Sequence, residues 1–445
     1  MGNSKVDEMI NEDQIDMDQK ELFEKVISYE QLYQAYRLVR SNRGAPGVDG
    51  ITVEKFGENF EEELSLLSKE LGEWKYRPLP VKRVEIPKPD STEKRLLGIP
   101  SVRDRVLAQS LKLSLEKLFE PEFSPNSFGF RPERGQQQAI SQARDIVNRG
   151  KNWVVDIDLE KFFDRINHDK VIYLLKRKVN DKRVLRLVGL CLRSGVLTAD
   201  GQYLPSREGS VQGSPLSPLL SNIVLDELDK ELERRGLEFC RYADDCNIFV
   251  GSEKAGIRVM ASIGKFIEHR LKLKINRNKS KVALARAVKF LGFTIVAGMI
   301  LISPASMKRA MSKVRELIPR GDHLPLEIRF KKVNQWYVGW SAYYRLTETP
   351  SQLKAVEAHI RRRFRSQFIG QQKRKRHLYR KLLKLGVKSK AAANIFKPFG
   401  RWRLSHTFAV EKGWDLTWFS RFGLKIISNK QLSHWKPLNV WIKLT

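Results

Sequence analysis

Short stretches of the first three hundred residues alternate or run apolar as strands do, with helical segments between them, and the pattern becomes helical beyond about Ser303. Residues 81–86 alternate as a strand, a turn follows at 87–91, and residues 95–99 resume the extended pattern, so Lys88 and Arg95 flank a hairpin loop. Trp153, Val154, Val155 and Ile157 predict a buried strand whose alternation puts Asp156 and Asp158 on one face. Phe162 and Phe163 open the helix predicted after it. The stretch GSVQGSPLSPLL, residues 209–220, is rich in turn formers and leads into a helix from about Pro218 to Arg235. In FCRYADDCNIFV, residues 239–250, two strand-like runs leave Asp244 and Asp245 at the turn between them. LKLKINRNKSKV alternates and then places Lys279 in a loop, and FLGFTIV with MILIS predicts one more hairpin. In the helical part, Trp336, Trp340, Tyr343 and Tyr344 recur at helical spacing, as the core of a helix bundle would.

The candidate chemistry lies where these elements end. Two adjacent carboxylates at a tight turn repel one another, and Mg²⁺ is the natural neutralising partner because it prefers carboxylate oxygens. A further carboxylate at a strand end, Asp158, facing such a hairpin supplies what a two-metal site needs. Lys88 and Arg95 on a shared hairpin suit a triphosphate. Gln212 and Gly213 allow an amide and bare backbone to approach a flat partner closely, and Lys279 is placed to meet a phosphate. NRGAPGVDGIT, residues 42–52, is a looped connector that would serve equally as a lid over nucleic acid.

Composition narrows the partner. The 445 residues carry a formal net charge of +31, which calls for a polyanion, with nucleic acid the leading class. The apolar stretch 290–302 is too short for a membrane span and is broken by Gly292 and Gly298, so no membrane partner is expected. Three cysteines without a CxxC pair point to neither a disulfide framework nor structural zinc, and a reducing, cytoplasmic setting is expected. Residues 361–403 contain no acidic side chain, and RRRFR (361–365) and KRKRH (373–377) read as phosphate-binding charge. The first 28 residues run acidic, against this trend.

With these blocks in hand, the chain resembles, from about Tyr29 to Arg403, the reverse transcriptase/maturase proteins of bacterial group II introns, in their compact class without an endonuclease domain. RGAPGVDG is similar to the family's N-terminal loop, SFGFRP to its fingers, and VVDIDLEKFFDRINHD, QGSPLSPLLSN and RYADD to successive palm motifs. LKINRNKS and KFLGF follow as in the lower palm, and GWSAYYR is like the thumb. The resemblance implies an α+β right-hand polymerase fold of fingers, palm and helical thumb. An acidic extension (1–28), fingers and palm (29–300), thumb and maturase domain (301–370) and a basic nucleic-acid-binding region (371–445) are expected.

It further implies that Asp158, Asp244 and Asp245 hold two Mg²⁺ ions, with Mn²⁺ a possible substitute. Phe162 matches the aromatic that excludes a ribose 2′-OH, and Lys88, Arg95 and Arg131 the triphosphate-binding cations. Gln212 and Gly213 match the nucleotide-pocket loop, and Lys279 the lysine near pyrophosphate. Val211 and Ser214 depart from the family's proline and glycine, which puts the rigidity of that loop in question. The implied partners are group II intron RNA, an RNA template with a DNA primer, target DNA and dNTPs. The implied activity is RNA-directed DNA synthesis together with splicing and retrohoming of an intron. A stand-alone or defence-associated reverse transcriptase and a non-catalytic splicing factor are the alternatives.

Overall fold

The period-two runs form strands in the computed structural model, which describes residues 21–87, 94–321, 324–372 and 374–425. Two units divide at Leu284/Ala285. The first carries β1 (Val81–Pro87), β2 (Lys94–Ile99), β3 (Trp153–Ile157), β4 (Val196–Leu197), β5 (Tyr203–Leu204), β6 (Glu238–Tyr242), β7 (Asp245–Val250) and β8 (Lys281–Leu284). The second carries β9 (Phe293–Val296) and β10 (Met299–Ile302), followed by helices.

In the first unit, β1 and β2 form the predicted antiparallel hairpin, and β4 and β5 extend its sheet in the order β2-β1-β4-β5. A second sheet runs β6-β7-β3-β8 and is antiparallel throughout. Alternation gives this sheet two unlike faces. Val155, Ile157, Phe239, Cys246, Ile248 and Val250 point into the core, where Ile263 and Ile267 of the helix Glu253–Arg270 also lie. That helix comes close because Gly256 has no Cβ; one there would press on Val282. The opposite face carries Asp156, Asp245 and Asn247 next to the buried Val154 and Phe249.

The first helices belong to this core. Leu22, Phe23, Val26 and Ile27 are buried, and Ser28 caps the helix Tyr29–Ser41 by accepting from the Gln31 amide. The Gln31 side chain then donates to the Ser110 carbonyl and the Ser114 hydroxyl of the helix Val102–Phe119. Of the expected 1–28 extension, the described end from Leu22 on is thus an amphipathic helix packed into the interior.

The second unit begins earlier than expected. The hairpin β9–β10 turns through Ala297 and Gly298, both at positive φ, as a two-residue turn matched to strand twist requires. Its edge is tied to the helical part: the Ile300 amide donates to Glu348 and the Ile302 amide to Gln352. Those bonds place residues 285–302 with the thumb-like helices rather than with the β3 sheet. Tyr337 and Tyr344 are buried and Trp336 and Trp340 pack around them, as the core reading of that stripe requires.

The dense arginines of RRRFR also differ from expectation. Arg365 is buried, donating to the Trp414 carbonyl at 2.9 Å and to Glu411 at 3.0 Å. Arg363 donates to the Ile318 carbonyl, Arg362 lies over the Trp402 ring, and Arg361 approaches Glu357. Arg362, Arg363 and Arg365 tie the helix Ser351–Gly370 to its surroundings and Arg361 pairs within it, so the four are not a free phosphate-binding strip. Arg374, Lys375, Arg376 and His377 are exposed. Arg365→Ala is therefore expected to cost about 1–3 kcal/mol of stability, read by denaturant melts, with nucleic-acid affinity in filter binding retained. Arg376→Ala should do the reverse, lowering affinity and the salt slope by about one unit. Trp414 and Trp418 join the hydrophobic core of this unit, so packing is the role of the described part of the C-terminal tryptophans. Trp435 and Trp441 lie outside the described residues.

Candidate active site

The carboxylates gather at one end of the β6-β7-β3-β8 sheet. β6 and β7 pair through Tyr242↔Asp245, so Ala243 and Asp244 form the turn. β7 and β3 pair down to Ile157↔Cys246. One further step along that register sets Asp158 opposite Asp245, on the face that carries Asp156 and at the sheet's rim. Asp158 and Asp244 are half-buried and Asp245 is exposed.

Asp158 is held from below. Its amide donates to the Ser280 hydroxyl at 3.0 Å, and its carbonyl accepts from the Asn276 amide at 2.8 Å. The amides of Lys279 and Ser280 close the same turn onto the Asn276 carbonyl. Lys279 is exposed on this turn, next to the strand end it clasps. Asp156, by contrast, sits mid-strand, between Asn247 on β7 and Lys281 on β8. Burial pushes its carboxyl up to about 6; Lys281 pulls it down and the negative charge of Asp158 adds to the rise.

The hairpin turn rests on a buried ion pair that the hydrophobic pattern alone does not disclose. Arg241 is fully buried, donating through Nε to Asp229 Oδ1 at 2.7 Å and through Nη2 to the other carboxylate oxygen. Its Nη1 reaches the Asn222 side chain at 3.1 Å and the Ala243 carbonyl at 2.9 Å. Burial raises the Asp229 carboxyl, and Arg241 opposes that rise. Asp229 and Asn222 both lie on the helix Ser217–Arg234. Asn222 also donates to the Gly129 carbonyl, and Gly129 abuts Ala243 so closely that a Cβ would overlap the Ala243 amide. One signal was readable: Arg241 shares the parity of Phe239, so a charge was aimed into the core.

The pocket-loop residues are pinned against β2. The Gly98 amide donates to the Gln212 carbonyl at 2.8 Å, and Gly213 takes a positive φ beside the Gly98 carbonyl, where a Cβ would not fit. Ser217 donates to the Val211 carbonyl, and the Ser214 amide donates to the same oxygen. Val211 and Ser214 thus sit in a loop fixed by its own hydrogen bonds. Arg95 lies on β2 opposite Ile86, and Lys88 lies outside the described residues.

Two expected site residues are corrected. Arg131 is 8% exposed. Its guanidinium donates to Glu120 Oε1 at 2.8 Å and to the carbonyls of Ser124, Ser127 and Glu120. It clamps its own loop and has little left to offer a triphosphate. Phe162 is 3% exposed and packed in the core, whereas the adjacent Phe163 is only partly buried. Lys161 takes a left-handed conformation just before them and turns the first ring inward. Phe163 is therefore the aromatic with surface to present.

The three rim carboxylates supply oxygen donors only, the chemistry of a hard divalent ion and not of zinc. Their register and shared rim fit such an ion, although among the described residues no three His, Cys, Asp or Glu side chains converge on one metal position. Among the same residues no helix is long and apolar enough to cross a membrane. The three cysteines are free thiols.

Residues 86–295 match the family described as reverse transcriptase (RNA-dependent DNA polymerase). Residues 307–386 match the group II intron, maturase-specific domain. Protein YkfC of Escherichia coli is 32% identical over 293 residues, covering 57% of this chain and 76% of its own. The group II intron-encoded protein LtrA of Lactococcus lactis subsp. cremoris is 33% identical over 252 residues, covering 57% of this chain and 41% of its own. The putative COX1/OXI3 intron 1 protein of Saccharomyces cerevisiae is 36% identical over 202 residues, 45% of this chain and 24% of its own. The similarity thus spans less than half the length of the last two relatives.

Proposed function

The chain belongs to the group II intron-encoded reverse transcriptase/maturase family, and from that premise we propose that it copies RNA into DNA from a primer 3′ end, binds its own intron RNA, and promotes splicing and retrohoming. The observation that carries the polymerase reading is the β3–β7 register, which brings Asp158 beside the Asp244–Asp245 turn at the rim of the sheet.

Divalent metal ions serve this family's chemistry. Two Mg²⁺ ions held by Asp158, Asp244 and Asp245 are the proposed set; when bound, they lower the pKa of the attacking hydroxyl and neutralise charge on the departing pyrophosphate. The protein's own part is positioning. Gln212 and Gly213 offer a fixed floor for the incoming nucleotide, with Lys88, Arg95 and Lys279 the cations proposed for its phosphates. The maturase reading rests on the match over residues 307–386 and on the exposed basic residues 374–377.

Primer extension on an RNA template with Mg²⁺ tests the first claim; absence of any extension by the purified protein would end it. Sequencing the RNA that copurifies with the protein tests the second. One structured intron species is expected, and a mixed population would point to a polymerase freed from any intron. In the same extension assay, Phe163→Ala should raise ribonucleotide incorporation by tenfold or more, roughly what the loss of one good steric contact allows. Phe162→Ala should instead cost about 3–5 kcal/mol of stability.

A further inference from the structure

We propose that Phe130 is a nucleobase-stacking residue at the polymerase site, laying its ring against a base of the template or primer strand beside the catalytic hairpin. The inference rests on the polymerase reading above. It begins with a backbone oddity: Phe130 has φ +59. That left-handed region crowds the Cβ of any residue but glycine, and a bulky aromatic there is unusual. Glycine would relieve the crowding and keep the loop.

The loop is not loose enough to drift into this state by accident. On one side the Phe128 amide donates to the Arg241 carbonyl at 2.9 Å, and the Gly129 carbonyl accepts from Asn222 at 2.9 Å. On the other side Arg131 is buried and anchored to Glu120, Ser124 and Ser127. Both neighbours are thus tied down, and the ring between them is forced outward. Phe130 is 47% exposed, while Phe123 and Phe128 of the same segment are 6% and 4% exposed. A conformation over-determined from both sides, spent on presenting an apolar ring to solvent, marks a side chain wanted where it is.

Its position says for what. Gly129 touches Ala243, the residue before Asp244, and the Cα of Phe130 follows about 3.8 Å further on. A strand whose end is delivered to the turn bearing Asp244 therefore comes close to the segment that presents this ring. Aromatic stacking suits such a place because every base has a π-face, so the contact tolerates any sequence being copied. The chain's +31 charge holds the backbone and leaves the bases to apolar contacts.

The test uses the full-length protein with a primed RNA template. Phe130→Gly should keep or raise the melting temperature while lowering kcat/KM for extension roughly 5- to 150-fold, the value of about 1–3 kcal/mol of stacking. Phe130→Leu, apolar but without a ring face, should lose as much, and Phe130→Tyr should restore it. An abasic site at the templating position, or at the primer terminus, tells the strands apart: the Phe130→Gly penalty disappears where the stacked base has been removed. The proposal is overturned if Phe130→Gly extends like the unaltered protein, if its loss tracks a lower melting temperature, or if neither abasic site removes the penalty. No extension by the unaltered protein sinks the polymerase reading itself.

Discussion

Asp244→Asn is expected to cut primer extension by about a thousandfold or more while leaving the fold intact. The amide keeps the carboxylate's shape but removes the charge that a divalent ion needs, and losses of about 10²–10³ follow removal of even a neutral donor from a preorganised site. Stability should hold or rise, because the change also removes one member of a like-charged pair at a tight turn. Two readouts check this together: extension rate, and melting temperature as Mg²⁺ is raised. The unaltered protein should gain stability with Mg²⁺ and the variant should gain less. A variant that extends primers normally would remove Asp244 from the site.

Arg241→Met should be as damaging, by another route. Taking one partner from a buried, hydrogen-bonded ion pair leaves Asp229 charged and enclosed, at a cost of about 3–5 kcal/mol. Adding Asp229→Leu removes the stranded charge, and stability should return to within about 1–2 kcal/mol of the original. Extension should not return with it. The Ala243 carbonyl would still lack its donor, and the turn bearing Asp244 would lose its fixed height above the helix Ser217–Arg234. Urea melts and extension rates on the single and double variants separate the two effects; a double variant that is both stable and fully active would show that Arg241 serves stability alone.

Much of the fold and the carboxylate rim is legible in the order of residues. Short apolar, β-favouring runs around Val155 and Ile248 and alternation in residues 81–86, with turn-forming residues between the runs, locate β3, the β6–β7 hairpin and the β1–β2 hairpin to within a few residues. What stays hidden is decided by which groups the folded chain brings together. A count of arginines at 361–365 cannot reveal that the Ile318 carbonyl, 45 residues away, accepts from Arg363. Arg131 looks like a substrate ligand until its own loop closes and turns the Ser124 and Ser127 carbonyls onto it. The step from Phe162 to Phe163 turns on one left-handed residue, Lys161, which resets the face after the strand and leaves no mark in the hydrophobic pattern.

The clasp between Asp158 and Ser280 has a consequence for how the protein comes into being. These residues are 122 positions apart. At about 5–20 residues per second, a ribosome needs roughly 6–25 s to travel from one to the other. Throughout that interval β3 has emerged with its β8 edge unmet, and for most of it β7 is missing too. An unpaired central strand of Val and Ile is a template for adding the wrong neighbour. The nascent first unit therefore spends its riskiest seconds before residue 284 exists, so a chaperone would help most, and a slowed codon run would harm most, between those two points of synthesis.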